Sequence, residues 1–233
     1  MNLKDKLAAQ RIYMLLGALF ITSLVVSNLI FQKFFYWYPF NIEIFGVKLF
    51  ELSVGILPYP ITFLITDLIS EIYGKKRANQ VVVAGIFASV FSLSIVLIAS
   101  VVPGVDWSPV SDTMFNTVFG NTVIAVGASM LAYLFAQFID IQIYHYWKRL
   151  TNGKYLWLRN NGSTFCSQFI DTFTVVFLLC SFNIIAWEKF NGLLISGVLF
   201  KWFTALCDTP FMYLGVYIFR KRFKLQVNEE IEI

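Results

Sequence analysis

The stretch that decides the fold is residues 60–77, Pro60-Ile-Thr-Phe-Leu-Ile-Thr-Asp67-Leu-Ile-Ser-Glu71-Ile-Tyr-Gly74-Lys75-Lys76-Arg77. Proline suits the first turn of a helix, glycine commonly follows a helix end, and cations there complement the helix dipole. The stretch therefore predicts an apolar helix that begins at Pro60 and stops at Gly74. Asp67 and Glu71 are four residues apart and share one face of it. A carboxylate at membrane depth costs roughly 2.5–3.5 kcal/mol, so each needs a partner or a function.

The composition places the whole chain among polytopic membrane proteins. Hydrophobic residues make up 58% of the 233 residues and charged residues only 14%, against about 25% in soluble domains. The net charge of +4 does not indicate nucleic acid, because the basic residues lie in short clusters between apolar stretches. The single histidine, His145, fits no metal-binding or catalytic pattern. The three cysteines, Cys166, Cys180 and Cys207, fit no metal-binding or redox spacing. We expect one integral membrane domain, residues 1–233, that needs no cofactor and is not an enzyme.

Six transmembrane helices are predicted, and the first is too long an apolar run for a cleaved signal. Their bounds are 12–32, 52–73, 79–102, 118–147, 163–186 and 192–219. Fourteen of the 18 lysines and arginines fall on one side of these spans, whereas Lys33, Lys48 and Lys189 fall on the other. The positive-inside rule then predicts that both termini are cytoplasmic, which requires an even number of spans.

Three features of the sequence lie on the outer side of the predicted spans. Residues 41–50 alternate polar and apolar side chains around Gly46, which predicts a short β-hairpin at 42–50 outside the hydrocarbon. Residues 103–112 form a turn-rich outer loop. The helix after Pro58-Tyr59-Pro60 extends only about 21 Å, short of a ~30 Å hydrocarbon core. We therefore predict a second helix that is broken at residues 57–60, as in transporters where irregular backbone lines a cavity.

A short repeat and a shared depth indicate where a site lies. Gln137-Phe-Ile-Asp140 in span four matches Gln168-Phe-Ile-Asp171 in span five, and a Gln and an Asp three residues apart share a helix face. Four carboxylates lie about 10 to 18 Å from the predicted cytoplasmic ends of their spans: Asp67, Asp140, Asp171 and Asp208. Because four isolated carboxylates at that depth are too costly, we predict one polar cavity shared by spans two, four, five and six.

Several of these residues also have a structural interpretation. Glu71 precedes Lys75 by four residues, which permits an ion pair on the helix surface. Asp208-Thr-Pro210 could form a polar kink within span six instead of contributing Asp208 to the cavity. Lys201 either extends outward to the interface or points into the cavity. A purely structural role stays open for Asp67 and for the two aspartates of the repeat.

Three motifs resemble those of the bacterial queuosine-precursor transporters, six-helix inner-membrane proteins grouped with vitamin-uptake transporters. They are residues 60–76, the segment from Leu156 to Thr172 and the Gln137–Asp140 tetrapeptide, and together they span most of the chain. The resemblance implies import of the 7-deazaguanine bases preQ0 and preQ1 for salvage of the tRNA base queuosine. The motif positions and the depth argument together give the candidate substrate-binding set: Asp67, Glu71, Gln137, Asp140, Arg159, Asn160, Gln168, Asp171 and Asp208.

The chemistry of these side chains agrees with such a ligand without singling it out. Carboxylates accept hydrogen bonds and amides donate and accept them, so a guanine-like edge with two adjacent N–H groups fits one carboxylate. Protons or cations suit buried carboxylates as well. The ligand expected from the resemblance is a small nucleobase, and the surrounding medium is the lipid bilayer.

Three hypotheses for the mechanism follow. In the first, the chain transports the base by itself, with or without proton coupling. In the second, it is a substrate-binding membrane subunit of an ATP-driven vitamin-type importer. Because no Walker A pattern occurs, such an ATPase would be a separate protein. In the third hypothesis, the chain is a proton- or cation-coupled transporter of another small heterocycle. Whether the chain forms a homo-oligomer or needs an energising partner stays open.

Overall fold

Long α-helices follow the apolar stretches of the sequence in a computed structural model of the chain. The structure describes residues 3–36, 43–44, 47–48, 51–120, 123–183, 185–227 and 229–232. Within these residues the helices are α1 (Leu3–Ile30), α2 (Tyr59–Ile72), α3 (Gly74–Val101), α4 (Asp112–Phe115), α5 (Val123–Leu150), α6 (Leu156–Ser181) and α7 (Phe190–Phe223).

Six of these helices correspond in order to the six predicted spans. Five segments are long and apolar enough to cross a membrane: Leu3–Ile30, Val54–Ile72, Gly74–Val101, Leu156–Ser181 and Trp187–Phe223. The sixth, α5, has 28 residues and is about 42 Å long at 1.5 Å per residue. The prediction of an all-α polytopic membrane protein is therefore confirmed.

The boundary between the second and third helices differs from the prediction. Only Tyr73 separates α2 from α3, and Gly74, the first residue of α3, has a φ of +81°. This left-handed conformation favours glycine because it has no Cβ. The predicted loop at Lys75-Lys76-Arg77 is wrong, because a reversal at a single residue leaves these cations in the first turn of α3.

Short strands and a broken helix cap one end of the bundle. Strand β2 (Glu43–Ile44) pairs antiparallel with β3 (Val47–Lys48), which confirms the predicted hairpin, although its turn at Gly46 lies outside the described residues. A second antiparallel pair, which the sequence did not predict, joins β1 (Phe34–Tyr36) to β4 (Glu51–Ser53). A 3₁₀ turn at Val54–Ile56 and the irregular residues Leu57 and Pro58 precede α2, so the predicted break in the second helix is confirmed.

The chain begins and ends at the opposite end of the bundle. Arg222 Nη1 lies 2.9 Å from Asp5 Oδ1, which places the start of α1 beside the end of α7. The backbone N–H of Ile231 donates to Ile72 O at 2.7 Å, beside the α2–α3 junction. We call this end the basic end, because the predicted basic clusters lie there, and the other end the strand end.

The second helix is central to the bundle. In the most apolar 18-residue stretch of Val54–Ile72, which includes α2, 67% of the residues are buried, against 22% for the corresponding stretches of α1 and α3. Ile69 and Ile72 of α2 pack with Phe20 of α1 and Val82 of α3 in the hydrophobic core. The peripheral helices α1 and α3 thereby surround α2 and leave its polar face directed toward α5, α6 and α7.

Candidate functional site

One face of α2 carries a buried series of side chains at every fourth position: Tyr59, Phe63, Asp67 and Glu71. Because residues four apart lie above one another on a helix, this series runs along the bundle from the strand end to the basic end. Phe63, Asp67 and Glu71 are each 2% exposed. Each member of the series borders a different layer of the interior, and these layers define the candidate site.

The layer nearest the strand end is a cavity of about 170 Å³, which we call the outer cavity. Its wall includes the end of α1, strand β4 and the first half of α7, together with Tyr59, Asp171 and Lys201. Lys201 Nζ lies 2.5 Å from Asp171 Oδ2, and the Tyr59 hydroxyl donates to the same oxygen. Lys201 Nζ also lies 4.2 Å from the centre of the Tyr59 ring. Of the two predicted orientations of Lys201, the inward one is therefore correct.

Three aromatic side chains form the next layer. The ring centres of Tyr59, Phe63 and Tyr133 lie 4.8 to 5.9 Å apart, within the usual range for aromatic contacts. Tyr59 and Tyr133 line the outer cavity, whereas Phe63 lines a deeper one. The aromatic layer therefore separates the two cavities.

The deeper cavity, which we call the inner cavity, has a volume of only about 10 Å³, enough for about one water molecule. It is lined by Phe63, Leu64, Asp67, Asn160, Thr164, Gln168, Ala205 and Asp208. Thr164 Oγ1 donates to Asp67 Oδ2 at 3.3 Å. Asp67 Oδ1, Asn160 Oδ1 and Gln168 Oε1 are buried and have no hydrogen-bond partner among the described residues. All three atoms are hydrogen-bond acceptors.

The two members of the sequence repeat have unlike surroundings. Asp140 Oδ1 accepts from Ser167 Oγ at 2.8 Å, and its other oxygen has no partner among the described residues. Gln137 is fully paired: its Oε1 accepts from Thr66 Oγ1 at 3.1 Å and its Nε2 donates to the Tyr133 hydroxyl at 2.8 Å. The matching tetrapeptides thus have different hydrogen-bond partners, since Asp140 accepts from Ser167 whereas Asp171 pairs with Lys201.

The layer at the basic end is an ion-pair cluster around Glu71. Glu71 Oε1 lies 2.6 Å from Arg159 Nη2 and 2.7 Å from Arg220 Nη2. Its Oε2 accepts from the Tyr144 hydroxyl at 3.0 Å and lies 3.8 Å from Lys148 Nζ. The predicted alternative of a surface pair with Lys75 is wrong, because Glu71 is buried.

The single shared cavity that the sequence predicts is divided in the structure. The aromatic layer separates Asp171 from Asp67, and Glu71 and Arg159 pair with each other one turn beyond the inner cavity. Asp208 is half-buried and lines the inner cavity. The sequence argument located the carboxylates by depth but overlooked the aromatic spacing within α2, which was visible in the same stretch.

The first turns of α6 also differ from the prediction. The helix begins at Leu156 rather than at residue 163, so Arg159, Asn160 and Asn161 are helical and buried. Asn161 Nδ2 donates to Thr209 Oγ1 of α7 at 2.9 Å. The early start aligns Asn160, Thr164 and Gln168 on one face of α6, opposite Asp67.

Similarity to known proteins decides the family. The family described as "putative vitamin uptake transporter" matches residues 53–215. A protein of Bacillus subtilis (strain 168) named "Probable queuosine precursor transporter" is 31% identical over 175 residues, which cover 74% of this chain and 74% of that protein. The chain belongs to the vitamin uptake transporter family. No solved structure matches it.

Family membership and architecture agree. The transporter is a multi-pass membrane protein with a polar interior formed by α2, α5, α6 and α7, and the resemblance noted from its motifs is confirmed. The family match covers α2 to most of α7, which includes every predicted site residue. A transporter family is also consistent with the expectation that the chain is not an enzyme.

Proposed function

We propose that this transporter imports 7-deazaguanine precursors of queuosine, preQ0 and preQ1, across the inner membrane for tRNA queuosine salvage. The structural observation that supports this most is the set of unpartnered acceptors around the inner cavity, Asp67 Oδ1, Asn160 Oδ1 and Gln168 Oε1. The name of the Bacillus subtilis relative supports the same ligand class.

The acceptors fit the guanine-like edge of these bases. That edge presents adjacent N–H groups, and a carboxylate that accepts two of them forms a charge-assisted pair that is strong when water is excluded. Buried acceptors without donors cost free energy in the empty protein. A ligand that supplies the donors recovers this cost on binding, whereas a ligand that lacks them does not.

The two cavities give the base a path. The outer cavity, at about 170 Å³, is the larger, and Asp171 Oδ1 in its wall has no hydrogen-bond partner among the described residues. The inner cavity, at about 10 Å³, is too small for a base in this conformation. We propose that the base first meets Asp171 and that movement of the aromatic layer then admits it to Asp67, Asn160, Gln168 and Asp208.

The remaining predicted residues support this path in the proposal. Gln137 and Asp140 position α5 against α2 and α6. Glu71 and Arg159 close the basic end, which we place in the cytoplasm together with both termini because of the positive-inside rule. Opening the Glu71 cluster would then release the base.

Uptake by cells tests the proposal. Cells that cannot make the precursors are given labelled preQ0 or preQ1, with and without this gene, and queuosine in their tRNA is measured. We expect uptake and queuosine only with the gene, and we expect unlabelled guanine-edge analogues that lack the exocyclic amino group to compete poorly. Equal uptake with and without the gene would contradict the proposal.

Transport by the purified chain discriminates between the mechanisms. Proteoliposomes that contain only this protein should exchange external labelled preQ0 for internal unlabelled preQ0. An ATP-driven importer would instead bind preQ0 but show no exchange until its ATPase is added. Binding without exchange would therefore assign the chain as a substrate-binding subunit.

A further inference from the structure

Two buried carboxyl groups, Asp67 of α2 and Asp140 of α5, lie against the same turn of α6. They are 2% and 0% exposed. Each has one oxygen that accepts from an α6 hydroxyl, Thr164 for Asp67 and Ser167 for Asp140. The other oxygen of each, Asp67 Oδ1 and Asp140 Oδ2, has no partner among the described residues. If both groups are ionised, two negative charges are buried beside the same turn of α6.

No described cation is placed to neutralise the pair. On α2 the next charge is Glu71, which holds Arg159 of α6, Arg220 of α7 and Lys148 of α5. On the other side Lys201 of α7 is held by Asp171 of α6. Asp208 of α7, which lines the inner cavity with Asp67, is a third carboxyl group rather than a cation.

One bound proton would both remove the repulsion between the two negative charges and give an unpartnered carboxyl oxygen a hydrogen bond. Two carboxyl groups a few ångströms apart in a buried site do not both ionise, because the two negative charges would repel each other. Such a pair commonly shares one proton. The protonated group donates its O–H to the other, which satisfies one orphan oxygen and removes one charge. Asn160 and Gln168, 4% and 1% exposed, line the inner cavity beside Asp67, and their amide oxygens also have no hydrogen-bond partner among the described residues.

We propose that Asp67 and Asp140 form the proton-binding site that couples this transporter to a pH gradient. The inference rests on the proposed function and adds its energy source. One proton enters from water on the strand side and is shared by the pair while the base occupies the neighbouring cavity. It leaves to water on the basic side with the base, and no covalent bond of the base changes. Without that proton, two negatively charged carboxylates would be buried side by side while the base crosses the membrane, and burying unpaired charges costs free energy.

Infrared spectroscopy of the protein in lipid tests the site without a substrate. At neutral pH the wild type should show the C=O stretch of a protonated carboxyl group, and this band should be lost in Asp140→Asn and again in Asp67→Asn. Asparagine keeps the shape of a protonated carboxyl and donates from Nδ2, so the remaining aspartate ionises. Asp106→Asn, in an exposed loop, is the matched control and should keep the band. An unchanged band in both variants would overturn the proposal, and if one variant does not fold, the other decides.

Transport in proteoliposomes tests the coupling. With the membrane potential clamped at zero and the internal pH one unit above the external pH, neutral preQ0 should accumulate roughly tenfold, as expected for one proton per base. In Asp140→Asn, any exchange that remains should no longer respond to the pH gradient. Accumulation driven by a sodium gradient, or exchange without accumulation, would overturn the proton site while the import function stands. If preQ0 binds but no exchange occurs, the chain is a substrate-binding subunit and the coupling proposal is overturned. If preQ0 neither binds nor exchanges, the import function falls as well.

Discussion

Glu71 shows how a single residue depends on distant parts of the chain. Its carboxylate is 2% exposed and is paired with Arg159 and Arg220, which are 88 and 149 positions away. The two guanidinium groups and Lys148 surround one carboxylate. Lys148 also pairs with Glu230, but removing the Glu71 charge leaves the buried guanidinium of Arg159 without an anion. Breaking a buried pair in this way costs more than the pair itself contributes to stability.

The substitution Glu71→Gln should therefore destabilise the protein strongly. We expect the free energy of unfolding to fall by about 3–5 kcal/mol, because the guanidinium of Arg159 remains buried without an anion. Thermal unfolding in detergent measures the change. Glu232→Gln, which removes the same charge from an exposed position, is the control and should change stability by less than about 0.5 kcal/mol. Equal melting temperatures for the two variants would show that the cluster does not stabilise the fold.

The sequence predicted which residues are buried better than it predicted their partners. Asp67, Asp140 and Asp171 were placed inside the bundle because carboxylates at membrane depth need a polar surrounding, and they are buried. The partner of Asp171 stayed open because the orientation of Lys201 depends on how α7 is rotated against α6. Periodicity within one helix does not determine the rotation of its neighbour.

At the scale of elements, α2 was predicted well and its junction with α3 was not. The proline pattern at 58–60 limits where a helix can begin, so the break was visible in the sequence. The three cations after Gly74 suggested a loop, because cations are favoured near the C-terminal end of a helix. The reversal at Gly74 depends on its φ of +81°, which a sequence does not display.

The substitution Gly74→Ala tests this reversal. A left-handed conformation costs an L-residue roughly 1–2 kcal/mol, and the added Cβ would lie 2.1 Å from Glu230 Oε2. We expect the free energy of unfolding to fall by at least that amount, with loss of the contact between Glu230 and Lys148. Gly17→Ala, in α1 with an ordinary 3.6 Å contact to Val81, is the control and should be neutral or stabilising by up to about 1 kcal/mol. Equal stability of the two variants would contradict a strained turn at Gly74.

At the scale of the whole molecule, the layers along α2 explain how one end can be open while the other is closed. The outer cavity lies at the strand end, and at the basic end the Glu71 cluster is covered by the chain near Ile231. Helix count and charge pattern predicted that the basic clusters share one end of the bundle, because both are set by the membrane. They could not predict the closure, which depends on contacts between α2, α5, α6 and α7.

The orientation of the bundle is a separate prediction. Fourteen basic residues at the predicted cytoplasmic side should keep the basic end inside. Reporter fusions at Leu150, in the last turn of α5, and at Pro109, in the loop after α3, should therefore report opposite sides, with Leu150 inside. The same side for both would contradict the helix order, and opposite sides with Leu150 outside would reverse the orientation.

The central claim is that carboxylates of the polar interior bind the donor edge of a 7-deazaguanine base. Asp→Asn replaces one acceptor oxygen with a donor and removes a charge-assisted hydrogen bond worth about 1.5–3 kcal/mol. The most direct measurement is equilibrium binding of labelled preQ0 and preQ1 to the purified protein, comparing wild type, Asp171→Asn and the exposed control Asp106→Asn. We predict that affinity falls about ten- to a hundredfold in Asp171→Asn, whereas Asp106→Asn binds as the wild type does. Wild-type affinity in Asp171→Asn would contradict the claim and assign Asp171 a structural role.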